Sequence, residues 1–412
     1  MSWPTKRLNE CVRFLSGGTP NKGKAEYWGG DIPWVSSAEM TKHFLSDTSL
    51  KITDAGLQAG SRLVPEGTTF AVVRGMSLAK EFRISLAQRA MAFNQDVKAL
   101  IPKAGIDARF IFYSLSANAN AIRDLATEAA HGTKKLEMDR LENYVLHVPD
   151  DIETQQIAAS AAHAYDDLIA TNQRRIALLE EAARRIYREW FVHLRFPGHE
   201  SVPVEDRVPK GWRKTPIAEQ TSFLNRGIAP KYDDTAMSRV INQKCIRGGR
   251  ISMEPARRQS KDVKSDRLVQ IGDVLINSTG AGTLGRVAQV RTPVENCTVD
   301  THVTIVRPIH ADSSSYFGQA LSNLEPVFSE MGKGATNQLE LSRSDIGMVE
   351  IWQPPQHLQI EFHRLVGPML EQAAQLNVAN LSLEKARDLL LPKLMSGQLD
   401  VSGIPLPENL PA

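Results

Sequence analysis

The feature that most constrains this chain is that it runs through one plan twice. Shifting the 412-residue sequence by 203 positions places Leu136-Glu137 on Leu339-Glu340, Arg140 on Arg343 and Gln156-Ile157 on Gln359-Ile360. It also places Leu178 on Leu381, Glu181 on Glu384 and Ala183-Arg184 on Ala386-Arg387, with no gap. Earlier segments align at nearly the same offset: Gly67 with Gly272, Asp96-Val97 with His302-Val303, and Gly132 to Leu136 with Ala335 to Leu339. Common order and spacing point to an internal duplication.

Each copy begins with mixed structure. Thr68–Val73 and Val97–Ile101 are rich in β-branched residues and read as strands, and Phe110–Ala126 reads as a helix. In the second copy Asp273–Ile276 and Val303–Val306 are the matching strands. Each copy then changes texture. Ile152 to Val192 holds neither glycine nor proline, and Ala161, Tyr165, Leu168, Ile176, Leu179, Ala183, Ile186 and Trp190 mostly keep a 3–4 spacing. This predicts one amphipathic helix with coiled-coil character, about 60 Å long at ~1.5 Å per residue. Its counterpart runs from about Leu358 to Leu391, with Leu376, Asn380, Leu383, Arg387, Leu390 and Leu394 at heptad spacing. Gly367-Pro368 is expected to kink or break that helix, and Pro392 to end it. Neither helix can bury its apolar stripe alone, so antiparallel pairing is the economical arrangement.

The predicted fold is therefore α+β. Globular domains occupy 1–150 and 212–353, and two long antiparallel helices, 151–192 and 354–396, join them about a pseudo-two-fold. The remaining segments are a proline-rich extended linker, 193–211, and a tail, 397–412.

Bulk properties exclude several classes. With 42% apolar and 23% charged residues the chain is an ordinary globular protein. No stretch approaches the ~18 consecutive apolar residues of a membrane span, and the start, Met1 to Arg7, lacks the apolar core of a signal peptide. Cys11, Cys245 and Cys297 are far apart, which suits a reducing cytoplasm and not a structural zinc site.

Motifs for catalysis fail on inspection. Gly18-Thr19-Pro20-Asn21-Lys22-Gly23-Lys24-Ala25 approximates a phosphate loop, but Ala25 replaces the magnesium-binding hydroxyl and Pro20 removes a backbone donor. Asp96-Val97-Lys98 has the end of a nuclease motif without a partner acid, and reads as a strand. Positive charge is more informative. Lys244, Arg247, Arg250, Arg257, Arg258, Lys261, Lys264 and Arg267 face only three acids in the same run, a net +5 around Gly248-Gly249. Such residues suit phosphate contacts and guanine edges. Two loops recur in position but not in chemistry. Arg74, Ser77, Lys80 and Arg83 stand against Asn277, Ser278, Thr279 and Arg286; Lys134 and Lys135 stand against Thr336, Asn337 and Gln338. Ser36, Ser37 and Gln243 complete the candidate DNA contacts. A coiled-coil adaptor binding only proteins, or a DNA enzyme with an unrecognised site, are the competing readings.

Gly17-Gly18-Thr19-Pro20, Tyr27-Trp28-Gly29-Gly30-Asp31-Ile32-Pro33-Trp34-Val35, Trp190-Phe191-Val192 with Arg195-Phe196-Pro197-Gly198, and the closing Arg387 to Gly397 give the chain a further likeness. It resembles the specificity subunits of type I restriction–modification enzymes over essentially its whole length. The resemblance implies a cytoplasmic, non-catalytic subunit with two target recognition domains, each reading half of a bipartite double-stranded DNA site. The helices would set the unread gap and dock two methyltransferase subunits, with restriction (ATPase) subunits joining them. S-adenosylmethionine, ATP and magnesium would belong to those partners, and no cofactor to this chain. The second copy departs from the pattern, having Arg226-Gly227-Ile228-Ala229-Pro230 and Arg239-Val240-Ile241-Asn242, so its contacts there are expected to differ.

Overall fold

The structure, a computed structural model, describes residues 3–129, 132–332, 339–401 and 403. The chain divides into two compact units, the first made of residues 1–170 and 380–412 and the second of residues 171–379. Both long helices are cut by this division.

In the first unit a five-stranded sheet has the order Val12–Ser16, Val97–Pro102, Thr69–Val72, Ile84–Ala87, Phe44–Leu45. A second sheet has the order Lys51–Ile52, Trp28–Val35, Met91–Phe93, Leu63–Val64. Val35, Phe70, Val72, Phe93, Val97 and Ala99 form the core that both sheets line. Helix Ala108–Ala117 starts where the Asp107 carboxylate accepts the Phe110 N–H at 2.8 Å and buries every residue from Phe110 to Leu115. The expected single helix to Ala126 is interrupted at Asn118 and resumes over Ala119–Asp124.

The second unit repeats this order. Its main sheet runs Thr221–Arg226, Val303–Pro308, Val274–Asn277, Val287–Gln289; a smaller one runs Arg257–Arg258, Arg239–Ile241, Cys297–Val299; helix Ser314–Asn323 follows. Hydrogen bonds define equivalent positions. Asn94 Oδ1 accepts the Asp96 N–H, and Asp300 Oδ1 accepts the His302 N–H, each at the turn into the central strand. The Leu136 N–H bonds Val73 O as the Leu341 N–H bonds Ser278 O. The latter pair corrects the constant register, because Leu136 corresponds to Leu341 and not to Leu339. Leu- and Ala-rich helices match at several shifts, which hid small changes in loop length.

The departure at Arg226-Gly227 also proves smaller than expected. A Cβ on Gly17 would lie 2.2 Å from Phe93 O, and one on Gly227 would lie 1.9 Å from Val299 O. The Gly18 N–H then bonds Phe93 O and the Ile228 N–H bonds Val299 O, at 2.9 and 3.0 Å. Close backbone approach requires the glycine in both units, and this accounts for Gly17-Gly18 without any phosphate.

Asp300 is 3% exposed. Burial raises its carboxyl above the ordinary aspartate range, against the opposing pull of the His302 N–H. A raised folded-state value means that stability present below the ordinary range is lost as pH rises through the folded value. Asn94 makes the same turn without charge. Asp300→Asn is therefore expected to stabilise the second unit near neutral pH by on the order of 1 kcal/mol, and to flatten its melting temperature between pH 4 and 8. A variant that melts below the parent at pH 7.5 would refute this.

The first long helix spans Ile152–Tyr187 and closes in a π-helical turn, Arg188–Val192. The second spans Gln356–Met395 without interruption. Gly367-Pro368 does not break it and Pro392 does not end it. Both prolines lie on the exposed side, as do Arg364 and Asp388 four residues earlier. The two carbonyls that lose a donor there belong to exposed residues open to solvent, so each proline removes one bond without burying an unpaired acceptor.

The buried face of the first helix keeps the expected Ile176, Ala183 and Trp190, but before Ile176 it lies one residue away from the expected Ala161, Tyr165 and Leu168. Ala162, Asp166, Ile169, Asn172, Ile176, Ala183, Tyr187 and Trp190 are buried, whereas Leu168 is 47% exposed. In the first unit, the Asn380 amide reaches Ile169 O at 3.4 Å, Arg387 pairs with Asp166, and Ala158, Ala159 and Ala162 share a core with Leu391, Leu394 and Met395. The two helical segments of this unit are thus antiparallel. In the second unit Tyr187, Trp190 and Phe191 pack on Phe362, with ring centroids 6.1, 5.8 and 5.1 Å apart.

Residues 193–211 are not an extended linker. Phe196 is 2% exposed, its ring centroid is 5.3 Å from that of Trp212, and Val204–Glu205 pairs with Val208–Pro209. An aromatic side chain anchors the segment to the second unit despite its prolines.

Candidate nucleic-acid interface

In the first unit a small three-stranded sheet gathers several of the candidate residues. Lys134–Lys135 pairs with Arg74–Gly75 on one side and Thr127–Glu128 on the other, placing Lys135 opposite Arg74 and Lys134 opposite Gly75. Gly75 has φ +144°, which lets the chain turn into the 3-10 helix Ser77–Ala79. Arg74, Lys80 and Lys135 are exposed and Ser77 and Lys134 half-buried. The Lys135–Glu137 pair at 3.0 Å is solvent-exposed and binds the lysine weakly. Arg83 is spent differently: its Nε donates to Glu81 at 2.6 Å and its Nη1 to Ser37 O at 3.4 Å. Ser36 and Ser37 follow the strand Trp28–Val35 and are half-buried.

The second unit sorts its candidates more sharply. Asn277 and Ser278 are fully buried, which corrects their assignment as surface contacts. Strand Val274–Asn277 is buried at every position and so carries the amide inward. The Asn277 Nδ2 donates to Gln243 O and Thr283 O, each at 3.0 Å, and Ser278 Oγ meets Thr304 Oγ1 at 2.5 Å. They shape the loop and cannot touch a base. Thr279 pairs with Glu340 in an isolated bridge, and its Oγ1 lies 2.6 Å from His302 Nδ1. Thr336, Asn337 and Gln338 lie outside the described residues. Gln243 is half-buried beside Gly280, and Arg286 uses its fork on Gly282 O and Ile246 O.

Ile246–Arg247 and Arg250–Ile251 form a hairpin across Gly248 and Gly249, whose φ values are +57° and +73°. Two left-handed residues in succession make a tight hairpin turn, which explains the glycine pair. Arg250 holds Glu180 of the first long helix with both carboxylate oxygens, at 2.9 and 2.7 Å. Lys244 and Arg247 are exposed. Arg257 lies over the ring of Tyr232, and Arg258 donates to Ala236 O at 2.7 Å.

Sequence reasoning missed Tyr232, His302 and Glu180. Tyr232 stands in a loop without periodicity, and Glu180 belongs to a helix face where acids are ordinary. All three cysteines are buried and unpaired, and burial pushes the Cys297 thiol up to about 12, which leaves it inert. Among the described residues no group of three or more His, Cys, Asp or Glu side chains is placed to hold a metal ion, and no helix is long and apolar enough to cross a membrane.

Residues 2–181 match the family model described as the type I restriction modification DNA specificity domain. The chain is 25% identical to the type I restriction enzyme MjaIX specificity subunit of Methanocaldococcus jannaschii, over 97% of this chain and 94% of that one. It is 30% identical to the type I restriction enzyme EcoR124I/EcoR124II specificity subunit of Escherichia coli over 154 residues, 37% of this chain and 38% of that one. In fold it resembles the crystal structure of the type I restriction-modification S subunit from M. genitalium, with a TM-score of 0.63, 15% identity and 96% coverage of each chain.

Proposed function

We propose that the chain, which is similar to type I restriction enzyme specificity subunits over nearly its whole length, is the non-catalytic, DNA-reading subunit of such an enzyme in the cytoplasm. Each unit reads one half of a bipartite double-stranded site. The long helices fix the gap between halves and carry two methyltransferase subunits, to which restriction subunits add. S-adenosylmethionine, ATP and magnesium act in those partners.

The observation that carries this reading is a shared strand order with unequal loops. The framework repeats, from the Asn94 and Asp300 turns to the Gly17 and Gly227 contacts. The exposed residues on it do not repeat. Arg74 and Lys135 are neighbours in one unit, and the Lys244–Arg267 run lies in the other. One fold carrying two chemistries is what two unlike half-sites require.

The test is co-expression with the neighbouring methyltransferase followed by genome-wide mapping of methylated adenine. A single motif of two specified halves with an unread gap is expected. Binding of the assembled complex should also fall on the order of 1,000-fold between 50 and 200 mM salt, as six or more phosphate contacts require. Salt-insensitive binding, or methylation without a motif, would favour a protein-only adaptor.

A further inference from the structure

The eight cations between Lys244 and Arg267 have unequal freedom. Arg250 is tied to Glu180, Arg258 to Ala236 O, Lys261 to Ala229 O at 3.1 Å and Arg267 to Arg226 O at 3.5 Å. These four serve the scaffold first. Lys244, Arg247 and Lys264 are exposed and make no side-chain hydrogen bond or ion pair among the described residues, so their long stems can swing.

Arg257 belongs to neither group. Its guanidinium carbon lies 3.5 Å from the centroid of the Tyr232 ring, a separation possible only over the ring face. Tyr232 is 45% exposed and Arg257 is exposed, so the stack stands at the surface. Both partners are anchored by backbone. Arg257 pairs with Val240 in the small sheet, and Tyr232 bridges to Gln259. Gln259 is itself fully buried, and its side chain holds the Lys261 N–H at 2.8 Å and Lys261 O at 3.0 Å. Among the described residues the guanidinium donates no hydrogen bond and forms no ion pair. It is a fixed, unspent fork.

That combination separates base reading from backbone binding. A phosphate needs charge, which swinging lysines supply. A guanine needs two donors at fixed spacing aimed at O6 and N7, and a stacked guanidinium has already lost the rotamer freedom that such aiming would cost. We propose that Arg257, positioned by Tyr232, reads a guanine in the half-site recognised by the second unit. The assignment rests on the DNA-reading function proposed above.

The test uses the complex assembled with its methyltransferase subunits, mapping methylated adenine for the parent, Arg257→Lys, Arg257→Gln, Tyr232→Phe and Tyr232→Leu. Lysine keeps the charge and loses the fork. Arg257→Lys and Arg257→Gln should make one G·C position of one half-site degenerate, with discrimination there falling on the order of 10- to 100-fold. The other half-site should stay intact, which also reports that the variant is folded. Tyr232→Phe keeps the ring face and should keep the motif, whereas Tyr232→Leu should relax the same position. An unchanged motif with Arg257→Lys overturns the assignment, as does a uniform loss of methylation without a change of motif. A parent complex that methylates with no motif overturns the underlying reading itself, and so is told apart from failure of Arg257 alone.

Discussion

Alanine in place of Asp166 is expected to destabilise the first unit by about 3–5 kcal/mol, the usual cost of removing one member of a buried ion pair. Asp166 is 8% exposed and sits on the first long helix. It pairs with Arg387 of the second helix, whose side chain is 14% exposed, and accepts the Tyr113 O–H at 2.8 Å. His43 Nδ1 lies 3.6 Å away. Burial works against the Asp166 charge, but the His43 contact and the Arg387 charge outweigh it and hold the carboxyl below its ordinary range. The same carboxylate raises the Tyr113 hydroxyl, on top of the larger effect of burial. Removing the carboxylate leaves the guanidinium with only the exposed Asp388 carboxylate, at 3.0 and 2.8 Å. In a unit of this size the melting temperature should drop some 6–20 °C, at 2–4 °C per kcal/mol. A double variant, Asp166→Ala with Arg387→Met, should recover part of the loss, because the half-buried charge that has lost its buried partner is gone. Thermal unfolding of the chain with its partners provides the measurement. A single variant within 1 kcal/mol of the parent would show that Asp166 only fills space.

The second large effect concerns the gap between half-sites. Four residues inserted between Asn172 and Gln173 of the first long helix add about 6 Å of helix. Four residues also turn the helix only ~40° past a full rotation, so the buried stripe through Ile169 and Ile176 stays nearly in phase. If the helices act as a rod, the unread gap in the methylated motif should grow by one or two base pairs, at ~3.4 Å each, while both half-sites keep their sequences. Mapping methylated adenine reads the gap directly. An unchanged gap with full methylation would count against the rod.

Where the sequence was legible, local chemistry and tertiary packing asked for the same residue. The strands Thr69–Val72 and Val303–Pro308 and the great length of both helices are of this kind. Where it was not, packing had overruled a local rule. The seam of the first helix carries Asp166 and Asn172, both buried. Apolar spacing alone therefore points one position away, to Ala161, Tyr165 and Leu168. Pro368 and Pro392 are tolerated because they face water, which no one-dimensional rule for proline contains. Phe196 ties down a segment whose prolines suggested a free linker.

The candidate interface divides in the same way. Arg74 and Lys135 lie in separate loops of the sequence, and strand pairing makes them neighbours. Asn277 and Ser278 have base-reading chemistry, yet a buried strand end turns that chemistry inward. Arg257 looked like one cation among eight. Its stacking on the Tyr232 ring sets it apart, and that contact joins a strand and a loop residue 25 positions apart in sequence.

The division of both helices has a consequence for how the protein is made. The second unit is one continuous stretch, residues 171–379, and can fold as soon as it has left the ribosome. The first unit cannot. Ala158, Ala159 and Ala162 emerge early, but Leu391, Leu394 and Met395, which complete their core, are translated some 230 residues later. At ~5–20 residues per second the apolar face of the earlier segment, with the buried-to-be Asp166 beside it, waits roughly 10–45 s for its cover. The half that is synthesised first is the half that finishes folding last.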